Sequence, residues 1–218
     1  MLKSDDLINK VKSYNKFLNP ETLTKAYDFA LKAHEKQKRD EGSPYIIHPV
    51  AVADILTELK LDSATIATGL LHDTIEDTHA TYNTIVKEFG KEVADLVDGV
   101  TKISVYENQA VSNSKAENFR KLILATSKDI RVLLVKIADR LHNMRTIKAI
   151  KSLDKQKRIS QETMEIYAPL ADRMGMHRIR DELEDLSFEV LNNDARKLIQ
   201  KRLDEIKLDR KDIFETLS

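Results

Sequence analysis

The chain has 218 residues, with 36 Lys and Arg balanced by 36 Asp and Glu, so its formal net charge is zero. It contains no cysteine, which excludes disulfides and thiolate metal sites and leaves imidazole and carboxylate groups to hold any metal. Without a basic excess or a basic stripe, no nucleic-acid partner is expected. No segment is apolar enough for a signal peptide or a membrane span, so the sequence predicts a cytoplasmic protein that acts on a small molecule.

A shortage of turn-forming residues indicates an all-α fold. The 5 Gly and 4 Pro leave few obligatory turns, and no stretch predicts a strand. Apolar periodicity and capping residues predict helices at residues 4–17, 20–38, 49–59, 63–78, 81–89, 91–97, 116–126, 130–143, 155–171 and 175–192. Residues 39–45 are predicted as a turn and residues 104–116 as a mobile loop. We expect one helical domain over residues 1–195 and a charged helical extension or linker at residues 196–218.

Residues 70–78 (LLHDTIEDT) carry two pairs of ionisable residues, His72-Asp73 and Glu76-Asp77. In a continuous helix, steps of about 100° per residue would place all four on one broad side. Three carboxylates beside an imidazole repel one another unless a cation lies among them, which favours a metal site. A solvated acidic patch on the surface is the alternative. The apolar residues just before His72-Asp73 argue against it, because they predict that this pair follows a buried segment.

Two further candidates lie far away along the chain. His48 precedes Pro49 at the predicted start of a helix, where a lone histidine is more often packed or hydrogen-bonded than a ligand. Asp139 ends the most hydrophobic stretch of the sequence, and a buried carboxylate is costly unless it is paired or bound to a metal. A salt bridge to a neighbouring Arg or Lys explains Asp139 equally well.

Two imidazoles and two carboxylates together make a ligand set for one divalent cation: His48, His72, Asp73 and Asp139. Such a set, with positions left for water and phosphate oxygens, suits Mn²⁺ first, with Fe²⁺ or Mg²⁺ behind it. A cation there would polarise a phosphoryl group and lower the pKa of a water molecule. Glu76 and Asp77, one turn further along, could orient that water or carry a proton.

This ligand pattern resembles that of the HD phosphohydrolase superfamily, which spans many nucleotide phosphohydrolases. The surrounding segments are more specific and are similar to the hydrolase domain of bifunctional members of the RelA/SpoT family. The matching segments are Gly42 to Pro49, Leu71 to Thr78, Asp95 to Lys102, Lys136 to Arg145 and Glu162 to Leu170. The resemblance extends in order from about residue 20 to residue 192 and implies an HD-type helical bundle.

The resemblance implies a Mn²⁺-dependent enzyme, with one ion per chain, that removes the 3′-pyrophosphate of ppGpp or pppGpp to give GDP or GTP. By the same resemblance, His48, His72, Asp73 and Asp139 would hold the metal, and Glu76 and Asp77 would be catalytic. The substrate-binding residues would be Arg39, which would lie against the guanine base, with Asn143 and Thr146. The family's synthetase domain is not among these residues, so alarmone synthesis is not expected. The sequence leaves the oligomeric state open.

The chain departs from the family at Asp40-Glu41, where relatives carry Lys-Ser. Two acids beside a polyanionic nucleotide would repel it, to an extent that solvent screening reduces. Two alternative functions remain open. The first is an HD phosphohydrolase that acts on another nucleotide, and the second is a non-catalytic, alarmone-binding fragment of a split RelA/SpoT protein.

Overall fold

The computed structural model describes residues 3–16, 18–109 and 129–216. Its α-helices are α1 (Ser4–Lys12), α2 (Pro20–Ala33), α3 (Ile47–Glu58), α4 (Ser63–Leu71), α5 (Thr74–Asp77), α6 (Tyr82–Gln109), α7 (Arg131–Arg145), α8 (Leu153–Glu162), α9 (Ala168–Arg173), α10 (His177–Leu191) and α11 (Asn193–Thr216). A short 3₁₀-helix at Ile147–Ala149 and a π-helix at Thr163–Tyr167 complete the described secondary structure. The predicted all-α class is confirmed, and the described residues contain no strand beyond one isolated bridge between Lys38 and Pro44.

The helices form two compact units, residues 1–143 and 144–218. In the first unit, α4 is the central helix and packs against α2, α3 and α6. It is buried from Thr65 to Leu71, and Asp62 caps its start by accepting a hydrogen bond from the backbone N–H of Thr65 at 3.0 Å. Helices α3 and α4 approach closely at Gly69, because a Cβ there would lie 2.6 Å from Leu56 Cδ1.

The predicted helix through residues 63–78 is interrupted. Helix α4 ends at Leu71, and the short α5 begins only at Thr74. Two side chains bond to the carbonyls that a continuing helix would use. The His72 Nδ1–H donates to Gly69 O at 2.8 Å, and the Thr74 hydroxyl donates to Leu71 O at 2.6 Å. Asp73 therefore lies at a break between two helices, and the continuous-helix spacing does not describe this stretch.

Several other boundaries also differ from the predictions. The first helix ends at Lys12 and the second at Ala33, earlier than their apolar spacing indicates. Helix α6 (Tyr82–Gln109) is interrupted by non-helical backbone at Gly90 (φ 86°, ψ 169°), where the sequence predicts a stop. Its second half continues past the predicted end at Val97 to Gln109. The loop prediction is wrong for residues 104–109, because Glu and Gln sustain a helix without apolar periodicity. The rest of that loop and the predicted helix at 116–126 lie outside the described residues.

The second unit contains α8 to α11 and packs α10 against α8, α9 and the π-helix. Its core includes Tyr167, Leu170 and Leu183. In α11 the apolar stripe is exposed, with Leu198 at 70% and Ile199 at 52% of full exposure. The division between residues 1–195 and 196–218 stays a prediction. None of the described helices combines the length and apolar character needed to cross a membrane.

Candidate metal centre

The first unit brings together the four predicted metal ligands from three separate parts of the chain. His48 is the second residue of α3, His72 and Asp73 lie between α4 and α5, and Asp139 lies in α7. Ligand atoms of His48, His72 and Asp139 all lie within 4.8 Å of one another. Asp73 completes the cluster, with Oδ1 at 3.1 Å from His72 Nε2 and Oδ2 at 3.5 Å from His48 Nε2.

His72 presents a buried lone pair to this cluster. A carbonyl oxygen can only accept, so the bond to Gly69 O fixes the proton of His72 on Nδ1. Nε2 then points into the cluster, where it is buried and makes no hydrogen bond. Carboxylate oxygens of Asp73 and Asp139 lie 3.1 Å and 3.8 Å from it, but their geometry is not that of a hydrogen bond. A lone pair facing carboxylates is an arrangement that a shared cation stabilises.

His48 is almost fully buried, and its Nε2 lies 3.2 Å from Asp139 Oδ1. Burial lowers the pKa of His48, although the neighbouring carboxylates Asp139 and Asp73 act in the opposite direction. The neutral imidazole is therefore favoured, and that is the form that binds metal ions.

Asp139 is held by two side chains of its own helix. Lys136 Nζ donates to Oδ2 at 2.9 Å, and Asn143 Nδ2 donates to Oδ1 at 2.6 Å. Burial alone would raise the pKa of Asp139, but the Lys136 ammonium and the two imidazoles hold it well below its usual range. The salt bridge considered from the sequence is thus present, and it uses one carboxylate oxygen while the other faces the imidazole of His48.

Asp73 is likewise kept ionised. Burial would raise its pKa, but the pKa is lowered overall by His72 and His48 and by the hydrogen bond from Tyr45. The Tyr45 hydroxyl lies 2.7 Å from Asp73 Oδ2 and 3.0 Å from Asp77 Oδ2. One hydroxyl therefore connects a predicted ligand with a predicted catalytic carboxylate.

Glu76 and Asp77 lie in α5 at the edge of a polar cavity of about 200 Å³. The cavity is lined by Arg39, Tyr45, His48, Asp73, Glu76, Asp77, Ser104, Lys136, Asp139 and Asn143. Desolvation and the nearby Asp73 raise the pKa of Asp77. Desolvation also raises the pKa of Glu76, against the attraction of Lys136. Carboxylates with raised pKa values are stronger bases, which suits proton transfer.

Two of the three predicted substrate-binding residues line the same cavity. Arg39 donates to Asn143 Oδ1 at 3.2 Å, and its guanidinium lies 5.7 Å from the centre of the Tyr45 ring. Thr146 belongs to the second unit, where it precedes the 3₁₀-helix. Asp40 and Glu41 are exposed in the turn, and Glu41 accepts a hydrogen bond from Ser43 at 2.8 Å. The roles of these residues stay predictions.

Two residues that line the cavity, Tyr45 and Ser104, carry no signal in the sequence that predicts a place in the site. Lys136 differs from them, because its ion pair with Asp139 is the salt bridge that the sequence offers as an explanation for that carboxylate. His142 lies three residues beyond Asp139 on α7 and contacts His48. No sequence signal would have placed the hydroxyl of Tyr45 between two carboxylates.

The donor set fits a divalent metal ion. Two imidazoles and two ionised carboxylates supply nitrogen and oxygen ligands, and the buried Nε2 of His72 makes no hydrogen bond. The electrostatics agree, because both Asp73 and Asp139 have lowered pKa values. Such a site is expected to bind metal in competition with protons.

Comparison with known proteins defines the class. The HD domain family profile matches residues 26–177, well over half of the chain. The chain belongs to the HD domain family.

Individual relatives are more specific and confirm the predicted resemblance to the RelA/SpoT family. The GTP pyrophosphokinase rsh of Brucella melitensis biotype 1 is 50% identical over 206 residues, which cover 94% of this chain and 27% of the relative. The guanosine-3′,5′-bis(diphosphate) 3′-pyrophosphohydrolase of Escherichia coli O157:H7 is 49% identical over 195 residues, which cover 89% and 28%. The solved structure of a metazoan SpoT ortholog that hydrolyzes ppGpp superposes with a TM-score of 0.55 and 25% identity, covering 80% of this chain and 96% of that one. The chain thus spans about a quarter of the length of the curated relatives it matches.

Proposed function

We propose that the chain hydrolyses the 3′-pyrophosphate of ppGpp and pppGpp, giving GDP or GTP and pyrophosphate, with one Mn²⁺ bound by His48, His72, Asp73 and Asp139. The observation that carries this proposal is the buried His72 Nε2, which makes no hydrogen bond and faces carboxylate oxygens of Asp73 and Asp139 beside a polar cavity. The choice of ppGpp as the substrate rests on the activities named for the relatives. A cytoplasmic location and the absence of a nucleic-acid partner stay predictions from composition.

The reaction requires one proton to be removed and one to be returned. The oxygen of water forms a bond to the phosphorus next to the ribose 3′-oxygen, and the bond from that phosphorus to the 3′-oxygen breaks. Glu76 and Asp77 lie where one carboxylate can take the proton of the water, and the departing 3′-oxygen gains a proton. His48, His72, Asp73 and Asp139 would hold the divalent ion, which would supply Lewis-acid polarisation of the phosphoryl group.

The remaining cavity residues suit the nucleotide. The Arg39 guanidinium is planar and can stack on guanine, and its contact with Asn143 places both at one wall of the cavity. Lys136 provides positive charge near the carboxylates, at a place where a phosphate would otherwise be repelled. Thr146 is proposed as a third nucleotide contact from the family resemblance alone.

The decisive assay incubates the purified chain with ppGpp and Mn²⁺ and follows GDP and pyrophosphate. Glu76→Gln and Asp77→Asn are expected to lower kcat by about 10²–10⁴-fold, the typical contribution of general acid–base catalysis, while Mn²⁺ affinity is retained. Glu88→Gln is the matched control, because Glu88 is an acid at the surface that pairs with Lys25 at 2.8 Å. Full activity in Glu76→Gln and Asp77→Asn would exclude them as catalytic groups.

The same assay separates the two alternatives. Tight ppGpp binding without turnover, at any Mn²⁺ concentration, would support a binding fragment. Turnover of other nucleotides but not of ppGpp would support a different HD phosphohydrolase. An Asp73→Ala variant that hydrolysed ppGpp as fast as the unaltered chain would show that the metal assignment is wrong.

The choice of Mn²⁺ has its own test. Carboxylate-rich sites with imidazole ligands also accept Fe²⁺ and Mg²⁺, so the purified chain should be stripped of metal and reloaded with each ion separately. We expect the highest kcat with Mn²⁺. Equal or higher rates with Mg²⁺ would change the assigned ion without changing the ligands.

A further inference from the structure

We infer that His142 is a positioning residue of the metal centre, which fixes the tautomer and ring orientation of His48 so that Nε2 is directed at the metal. This inference rests on the proposed metal-dependent function and assigns a role to a residue outside the predicted ligand set. It concerns the hydrogen bond made by Nδ1 of His48, the ring nitrogen that does not face the metal site. Groups that bond to this second nitrogen of a ligand histidine commonly change the metal affinity.

The two imidazoles are in direct contact in the interior. His48 Nδ1 and His142 Nδ1 lie 2.7 Å apart, and both side chains are buried. Their ring centroids are 4.9 Å apart, with the planes tilted by 46°. At this separation a single proton lies between the two nitrogens, so one ring donates and the other accepts.

The direction of that bond decides what His48 offers to the cluster. If His48 Nδ1–H donates to His142, the lone pair of His48 is on Nε2 and faces Asp139 and Asp73. If His142 donates instead, the proton of a neutral His48 is on Nε2 and points at Asp139, which leaves no lone pair for an ion. Metal binding through Nε2 therefore requires His142 Nδ1 to accept, with the proton of His142 on Nε2.

Residues of helix α7 contact both ring nitrogens of His48. Asp139 and His142 are three residues apart on α7 and share one face of the helix. Asp139 Oδ1 lies 3.2 Å from Nε2, and His142 Nδ1 lies 2.7 Å from Nδ1. Turning the ring over would lose both contacts, so α7 fixes the orientation of His48 as well as supplying a ligand.

A packing role for His142 makes a different prediction from an accepting role. If only volume matters, the best replacement is an aromatic ring of similar size. If the accepting atom matters, the best replacement is Asn, whose Oδ1 lies near the position of Nδ1 although the side chain is smaller. A packing role therefore predicts tighter Mn²⁺ binding in His142→Phe than in His142→Asn, and an accepting role predicts the reverse.

The measurement is Mn²⁺ binding to the full chain at one fixed pH, followed by the electron paramagnetic resonance signal of free Mn²⁺. We expect His142→Phe to weaken Mn²⁺ binding by about 10–100-fold, the usual effect of removing such a partner, and His142→Asn to keep most of the affinity. Equal losses in both variants, or unchanged affinity in His142→Phe, would overturn the inference. Thermal unfolding of the metal-free variants identifies any that do not fold.

A second measurement needs no substitution. In long-range ¹H–¹⁵N spectra of the chain loaded with diamagnetic Mg²⁺, His48 should carry its proton on Nδ1 and His142 on Nε2. The opposite pair of tautomers would overturn the inference even if His142→Phe failed to fold.

Failure of the metal site and failure of this inference are distinguishable with His48→Ala. If the unaltered chain binds no Mn²⁺, or if His48→Ala binds it equally well, the proposed metal site is wrong. The role of His142 is then wrong as well. If Mn²⁺ binding depends on His48 but is insensitive to His142→Phe, only the role of His142 is removed.

Discussion

Tyr45 donates its hydroxyl hydrogen bond to Asp73 Oδ2 across 2.7 Å. Asp77 Oδ2 lies 3.0 Å from the same hydroxyl, so the two carboxylates share one donor. The ring of Tyr45 is stacked on the buried His34, with centroids 4.7 Å apart. Burial and the two carboxylates raise the pKa of Tyr45, which keeps the hydroxyl protonated as a donor.

We predict that Tyr45→Phe lowers kcat/KM for ppGpp and weakens Mn²⁺ binding. A hydrogen bond to a charged group contributes about 1.5–3 kcal/mol, which corresponds to roughly 10–100-fold. Tyr14→Phe is the matched control, since its hydroxyl donates to the Leu61 carbonyl at 3.1 Å, away from the cavity. Steady-state kinetics and Mn²⁺ titration check both variants. Equal effects of the two substitutions would contradict a specific role for Tyr45.

The ion pair of Lys136 and Asp139 allows stability to be separated from metal binding. Asp139→Ala leaves the ammonium of Lys136 buried without its carboxylate, which costs about 3–5 kcal/mol when one partner of a buried pair is removed. We predict that Asp139→Ala combined with Lys136→Met recovers most of the unfolding free energy, measured with urea, but not the Mn²⁺ affinity. A double variant that regained Mn²⁺ binding would rule out Asp139 as a ligand.

The close contact of α3 and α4 at Gly69 leaves no room for a larger side chain. Gly69→Ala would place a methyl group 2.6 Å from Leu56 Cδ1 and 3.4 Å from the Cα of Ala53. We expect a loss of about 1–3 kcal/mol in the free energy of unfolding, the usual cost of overpacking a buried contact. Gly42→Ala is a useful contrast, because its Cβ would meet nothing within 4 Å and its cost comes from φ +87° alone. If Gly69→Ala were harmless, α3 and α4 would not be in tight contact.

The ion pair of Asp129 with Arg131 should make the free energy of unfolding depend on pH, with or without bound metal. The hydrogen bond from Arg131 is the main cause of the lowered pKa of Asp129. Because the folded pKa is below the unfolded one, the stabilisation is complete above the unfolded value of about 3.9 and is lost as the pH falls through the folded pKa. The difference in unfolding free energy between the unaltered chain and Asp129→Asn should be constant at neutral pH and should shrink below about pH 4.

Urea unfolding at a series of pH values measures this difference directly. Asp40→Asn provides the reference, because Asp40 is exposed in the turn. A difference for Asp129→Asn that grew as the pH fell would have the wrong sign and would contradict the assigned ion pair.

The clustering of the candidate ligands could be predicted because chemistry restricts the residue types that hold a metal. Without cysteine, a metal needs imidazole and carboxylate, and few such residues border apolar segments as His72 and Asp139 do. The all-α class followed from the scarcity of turn formers and from apolar periodicity. These signals depend on residue types and spacing, which the sequence contains in full.

The details of the site could not be predicted because they depend on rotamers and on contacts between distant segments. The helix break at His72 arises from a side chain that bonds to a carbonyl within its own turn. Lys136 meets Ser104 at 3.0 Å only because α6 continues past the predicted loop boundary. The contact of His142 with His48 requires the packing of α7 against the start of α3, which no local pattern encodes.

The three chain segments that meet at the cluster give a bound ion a mechanical role as well. Ligands at residues 48, 72–73 and 139 would make the ion a reversible cross-link that closes two large loops of the chain. At a free concentration one hundred times Kd, such an ion stabilises the folded state by about 2.7 kcal/mol if it does not bind the unfolded chain. Chelation would then loosen the fold of the first unit, so metal supply could set the lifetime of the protein as well as its rate.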